Sequence, residues 1–200
     1  MNWLLQHEPS LRLGAFAGVL CVIALWETAV PRRPRHQTRL RRWPVNFGIV
    51  VISTVALRLL LPMGAVGAAL HAQEEQVGLL YLLDLPGALR ILLAILMLDL
   101  VIYTQHMVFH RIPILWRLHQ VHHADPEFDV STALRFHPLE ILLSIGIKIG
   151  AVYAIGAPAV SVLLFEIILN AAAMFNHGNT RLPLGVDKWL RLIIVTPDMH

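Results

Sequence analysis

Five histidines in an otherwise apolar chain fall into two tight groups, His106 and His110 in QHMVFHR and His119, His122 and His123 in LHQVHHAD. The i, i+4 spacing of the first group and the i, i+3, i+4 spacing of the second each place imidazoles on one face of a helix. Neutral imidazole ligates iron, zinc, copper and nickel, and five donors exceed what one open catalytic ion usually takes from a protein. Two metal ions are the natural inference. Surface histidines gathered by chance do not account for this density.

Other groups line up with these. Asp99, Tyr103, His106 and His110 follow i, i+4, i+7, i+11 down one helix face. An aspartate deep in a membrane helix is expensive and by default functional; Asp99 is expected either to orient a ligand histidine as a hydrogen-bond acceptor or to pair with Arg90 or a neighbouring helix. Glu166, Asn170 and His177 form a similar stripe. There His177 is the candidate ligand, with Glu166 and Asn170 as polar partners behind it or as helix-packing groups. His137 precedes Pro138, so it is either a ligand or substrate-side group or simply the start of a helix. His200, the last residue, would alone be a frayed end. His7, His36 and His71 stand apart and are expected to be interfacial or solvated.

Elements able to hold these histidines are largely membrane helices. Of the 200 residues, 56% are hydrophobic and only 14% charged, with a mean hydropathy of +0.64, more apolar surface than a soluble domain of this size buries. An all-α, polytopic membrane bundle is expected. Its spans are 11–30, 45–61, 88–110 and an antiparallel pair, 139–155 and 159–175, joined by the short turn at Gly156 to Pro158. Lys148 in mid-limb leaves that pair as two true spans or as a shallow hairpin. Residues 62–85 are expected as an external connection with an apolar patch at Leu79 to Leu83, and 112–136 as a polar stretch lying in water against the membrane face. Two regions follow, 1–85 carrying the N-terminal helices and 86–200 carrying the histidines.

The formal charge of +3 is concentrated in PRRPRHQTRLRRW, six arginines between two apolar segments. The positive-inside rule makes that loop cytoplasmic, and the topology puts the histidines on the same side. With no soluble module beside it, the run does not read as a nucleic-acid site. Cys21 stands alone, which excludes a disulfide framework or a thiolate metal site. The N-terminus lacks a charged n-region and cleavage site, so the first apolar run is read as a retained helix.

The second half resembles the fatty acid hydroxylase superfamily, often labelled sterol desaturase, of integral-membrane di-iron enzymes. The resemblance runs through HMVFH (His106 to His110), WRLHQVHHADPEFDVSTALRFHP (Trp116 to Pro138), FNHGN (Phe175 to Asn179) and TPDMH (Thr196 to His200). It follows the family order HxxxH, HxxHH, a lone histidine and a closing HxxHH. It implies that His106, His110, His119, His122, His123, His177 and His200 hold two iron ions at the cytosolic membrane face, zinc being a possible substitute in preparations. Met107 stands where many relatives carry arginine, outside the ligand positions. The sequence ends at His200, where the resemblance calls for two further histidines, so it implies a C-terminally truncated domain.

Such a site would reduce O2 at two ferrous ions and attack an unactivated C–H bond of a sterol, fatty acyl or other lipid, giving a hydroxyl group or a double bond. No haem-attachment motif or flavin fingerprint is present, so electrons are expected from a separate redox protein. Competing readings are a membrane metal-binding or transport protein, which wants ionisable residues along a path across the bilayer, and an inactive fragment of the oxygenase. A zinc hydrolase wants a glutamate base as in HExxH, which is absent.

Overall fold

Apolar runs bounded by proline or glycine become helices in the computed structural model, which describes residues 2–61 and 63–200. Met1 and Pro62, the latter the expected start of the external connection, lie outside the described residues. In chain order the helices are α1 (Asn2–Gln6), α2 (Glu8–Ala29), α3 (Arg39–Leu60), α4 (Ala65–Glu74), α5 (Gly87–Arg111), α6 (Pro113–His123), α7 (Pro138–Ile155), α8 (Ala159–Asn176) and α9 (Leu184–Leu190), with 3-10 turns at Leu79–Tyr81 and Val130–Leu134. Proline opens several of them: Pro113 and Pro138 are first residues, and Pro86, Pro158 and Pro183 are N-caps. There a missing N–H costs nothing and the fixed φ suits the first turn.

Among the described residues five helices, α2, α3, α5, α7 and α8, are long and apolar enough to cross a membrane, and the protein is a multi-pass, all-helical membrane bundle. At 1.5 Å per residue the 18 residues of α7 and of α8 rise about 27 Å, close to a hydrocarbon core of about 30 Å. Those two limbs therefore have the length of spans. Helix α8 is the axle, packed against α2, α4 and α5 and burying Val162, Leu163, Phe165 and Met174.

Lys148 and Glu166 explain how charge is tolerated between the limbs. Both are buried, and Lys148 Nζ donates to Glu166 Oε1 at 2.7 Å. Arg12 of α2 lies 2.8 Å from the other oxygen. A pair of this kind satisfies each ion where water is excluded.

Two segments differ from expectation. The stretch read as an external connection contains α4, whose Ala68, Ala69 and Ala72 are fully buried against α7 and α8. Alanine lets backbones approach closely, a packing use that a hydropathy reading passes over. The loop after α4 is stitched onto the α7–α8 turn where Gly78 (φ 114°) meets Gly156 (φ 69°). A Cβ on Gly78 would stand 2.2 Å from the Gly156 nitrogen, so only glycine fits.

The stretch expected in water, 112–136, is instead largely folded into the bundle, with His119, His122 and residues 129–133 buried. An arginine from α3 draws it in. Arg42 donates from Nε and Nη2 to the two oxygens of Asp125 at 2.8 and 2.7 Å and from Nη1 to Asp129 at 2.8 Å. Asn46, one turn on, donates to Asp125 at 3.0 Å and to Ser131 Oγ at 2.9 Å. Asp129 also caps the 3-10 turn by accepting the Ser131 N–H at 2.9 Å.

A buried pair is costly to break and cheaper to remove whole. Lys148→Met should destabilise the protein by about 3–5 kcal/mol, and the double variant Lys148→Met, Glu166→Leu should recover part of that loss in detergent-unfolding measurements. A double variant less stable than the single one would contradict the account.

Candidate metal centre

Helices α5 and α6 deliver the first three imidazoles. His106 and His110 sit one turn apart on α5 with their Nε2 atoms 3.2 Å from each other. His119 approaches from α6, its ring centre 4.8 Å from each of theirs. His119 is buried, and its Nδ1–H donates to Glu140 Oε1 in the first turn of α7 at 2.6 Å. That fixes the tautomer: Nε2 carries the lone pair, buried and without a hydrogen-bond partner among the described residues.

His122, His177 and His200 form a second group. His177, the C-cap of α8, donates Nδ1–H to the Ala173 carbonyl at 2.7 Å, which leaves its Nε2 as an acceptor 2.7 Å from His122 Nε2. The ring of His200 stands 4.1 Å from that of His177. His122 is clamped flat against Phe136, centroids 4.5 Å apart and 4° between planes. Whichever nitrogen of His122 carries its proton, one buried polar atom is unsatisfied: either two lone pairs face each other, or Nδ1 is left alone. A cation between the rings would relieve the facing lone pairs of the first arrangement.

In each group the three ring nitrogens lie within 4.8 Å of one another. The donor set is imidazole throughout, suited to iron or zinc; the partnerless Nε2 of His119 fits a cation in the first group, and the close Nε2 atoms of His122 and His177 fit one in the second. His123 sits at the junction, its ring centre 4.9 Å from that of His110 and 5.0 Å from those of His119 and His122.

Burial, with the nearby imidazoles of His119, His110 and His200, holds His123 down at about 4, and burial with His200 holds His177 at about 3. Burial and His177 drive His122 in the same direction, and burial lowers His200. These rings therefore stay neutral at physiological pH, the form that ligates metal. Burial works against the charge of Asp125, but the hydrogen bonds from Arg42, Asn46 and Thr132 hold it below the usual carboxylate range.

The remaining sequence candidates are placed elsewhere or differently. Asp99 is exposed on α5 and makes no hydrogen bond or ion pair among the described residues, Arg90 turning instead to the carbonyls of Leu83 and Leu85. Glu166 faces Lys148 and Arg12 rather than the histidines, and Asn170 is exposed beside a small groove between α2 and α8. His137 is the N-cap of α7 and accepts the Leu139 N–H at 3.1 Å. His7 stacks on Trp3, His36 lies in the arginine loop, and His71 meets Tyr153.

Glu140 was not singled out by sequence. A lone acid opening an apolar helix was its available signal, but its partner, His119, lies 21 residues away and is set by packing. Phe128 and Phe136, which flank His177 and His122, carried no signal of their own.

Residues 91–200 match the sequence model of the fatty acid hydroxylase family, and the chain belongs to that family. It is similar to the ornithine lipid hydroxylase OlsE of Rhizobium tropici, 23% identical over 190 residues that cover 92% of this chain and 56% of that protein. The chain thus spans little more than half the length of this curated relative. No solved structure matches it.

Two outcomes are expected. Glu140→Leu should weaken metal binding about 10–100-fold in a titration followed by metal analysis, and undiminished affinity would remove Glu140 from the site. Between their ordinary value of 6.5 and the folded values of about 4 and 3, the unfolded chain binds protons that folded His123 and His177 refuse. Stability of the metal-free protein should therefore fall as pH drops through that window. The thermal midpoint should decline from pH 6.5 toward 4, less steeply in His123→Gln; a midpoint independent of pH would contradict this.

Proposed function

We propose that the protein holds two iron ions, one in each histidine triad, and uses O2 to hydroxylate a membrane lipid. The observation that carries this is the pair of triads at one end of an apolar bundle, each with a buried imidazole nitrogen lacking a partner. His106, His110 and His119 would hold one ion and His122, His177 and His200 the other, with His123 between them. When bound, iron supplies the reduction of O2 and the attack on an unactivated C–H bond.

The chain's own residues do the rest. Glu140 keeps the His119 proton on Nδ1 and so presents Nε2, and the Ala173 carbonyl does the same for His177. Phe136 and Phe128 wall the second triad and limit water. The apolar helices keep the lipid chains out of water. Hydroxylation is favoured over desaturation by the family's description and by the relative's name. Electrons are expected from a separate redox protein.

A cytoplasmic histidine face is supported by the six arginines of residues 31–43, in the α2–α3 loop and the start of α3, one of which, Arg42, is bonded to the histidine-bearing segment. The transport reading wants ionisable groups along a path through the bilayer. Here Lys148, Glu166 and Arg12 are tied to one another, away from the histidines, and Asp99 is turned outward from the bundle.

The full-length protein, expressed in membranes, should bind about two irons per chain, and His122→Ala should abolish paired loading. Lipid extracts should gain one oxygen atom, labelled when isotopic O2 is supplied. Iron content unchanged by the substitution, or oxygen drawn from water, would overturn the proposal.

A further inference from the structure

Phe128 belongs to two places at once. Its ring lies 5.8 Å from that of His177 and 6.0 Å from that of His200, and it also lines an open cavity of about 430 Å³ with Arg33, His36, Glu127 and Asn179. That volume is in the range of small-molecule sites, about 300–1,000 Å³. Apolar helices end here and polar loops begin.

The cavity's charges are arranged in a specific way. Asn179 fixes the backbone of Arg33, accepting its N–H at 2.9 Å and donating to its carbonyl at 3.0 Å. The Arg33 guanidinium itself is exposed and engages in no hydrogen bond or ion pair among the described residues. Glu127 accepts the backbone N–H groups of His36 and Gln37 on one oxygen, at 2.7 and 2.9 Å, and its other oxygen has no partner among the described residues. Asp125 also borders the cavity, but Arg42, Asn46 and Thr132 already answer its oxygens. What remains for a ligand is one exposed guanidinium, on a residue whose backbone Asn179 holds, and the second oxygen of a carboxylate fixed by two backbone N–H groups.

We propose that this cavity seats a zwitterionic lipid head, Arg33 answering its carboxylate or phosphate and Glu127 its amine. The inference rests on the lipid-hydroxylase reading above and names the substrate class for that site. A neutral head leaves both side chains unanswered, and a purely anionic head meets Glu127 with like charge.

The test uses the full-length protein in nanodiscs, offered one lipid at a time. The probes are an aminoacyl lipid with free carboxylate and amine, phosphatidylethanolamine, phosphatidylglycerol and diacylglycerol. Binding is read by native mass spectrometry and oxygenated product by lipid analysis. A zwitterionic head should bind about tenfold or more tighter than the last two, and whichever zwitterion wins identifies the anionic group as carboxylate or phosphate. Arg33→Ala should lose the preference over diacylglycerol. Glu127→Gln, which keeps an acceptor for His36 and Gln37, should lose the preference over phosphatidylglycerol. Iron loading like wild type shows that both variants fold. Equal binding of all four lipids, or a preference kept by both variants, overturns the proposal. A zwitterionic preference that disappears in the variants, with no oxygenated product from wild type, would instead count against the hydroxylase reading and leave the headgroup site standing.

Discussion

The structure depends on one buried cation. Arg42, at the start of α3, binds Asp125 with two of its nitrogens and Asp129 with a third, all three groups almost fully buried. Ions removed from water cost several kcal/mol each unless geometry and further hydrogen bonds compensate; here Asn46, Ser131 and Thr132 supply those bonds. The consequence is positional. The segment that carries His119, His122 and His123 is joined to the 3-10 turn through Asp125 and Asp129, so it is pulled from the membrane surface into the bundle.

Glu27 at the end of α2 works from the other side. Its fully buried carboxylate accepts the N–H groups of Val130 and Asn179 at 2.7 and 2.8 Å and is met by Arg39 at 2.8 Å. The 3-10 turn and the residues just after His177 are thereby held to one point. Two histidine groups from distant parts of the chain share an end of the molecule because these two carboxylate systems pin the loops between them. Two arginines of the basic run, Arg39 and Arg42, are thus also ones that build the site.

The apolar helices, their approximate ends and the histidine spacings were all legible in the sequence, because periodicity and hydropathy are local properties. Lys148 was visible as a problem but not as half of a pair, since Glu166 lies on another helix. Asp99 shows the opposite limit: its stripe with His106 and His110 is real, yet the helix turns that aspartate outward, and a shared face of one helix does not say how far along it a neighbour reaches. Helix α4 was hidden because its alanines and glycine read as a loop, whereas packing uses them for close approach. Glu140 and Arg42 were illegible as partners because each acts across tens of residues. Membership of the fatty acid hydroxylase family agrees with the histidine motifs, while the cavity beside Phe128 could be seen only in three dimensions.

If each triad holds an iron ion, the two ions would differ, one bound by a histidine backed by Glu140 and the other by a histidine backed by a backbone carbonyl. Mössbauer spectroscopy of the iron-loaded, full-length protein would distinguish them. Two inequivalent iron signals of equal area are expected, with Glu140→Gln shifting only one of them. A single iron signal, or both signals moving together in that variant, would contradict it.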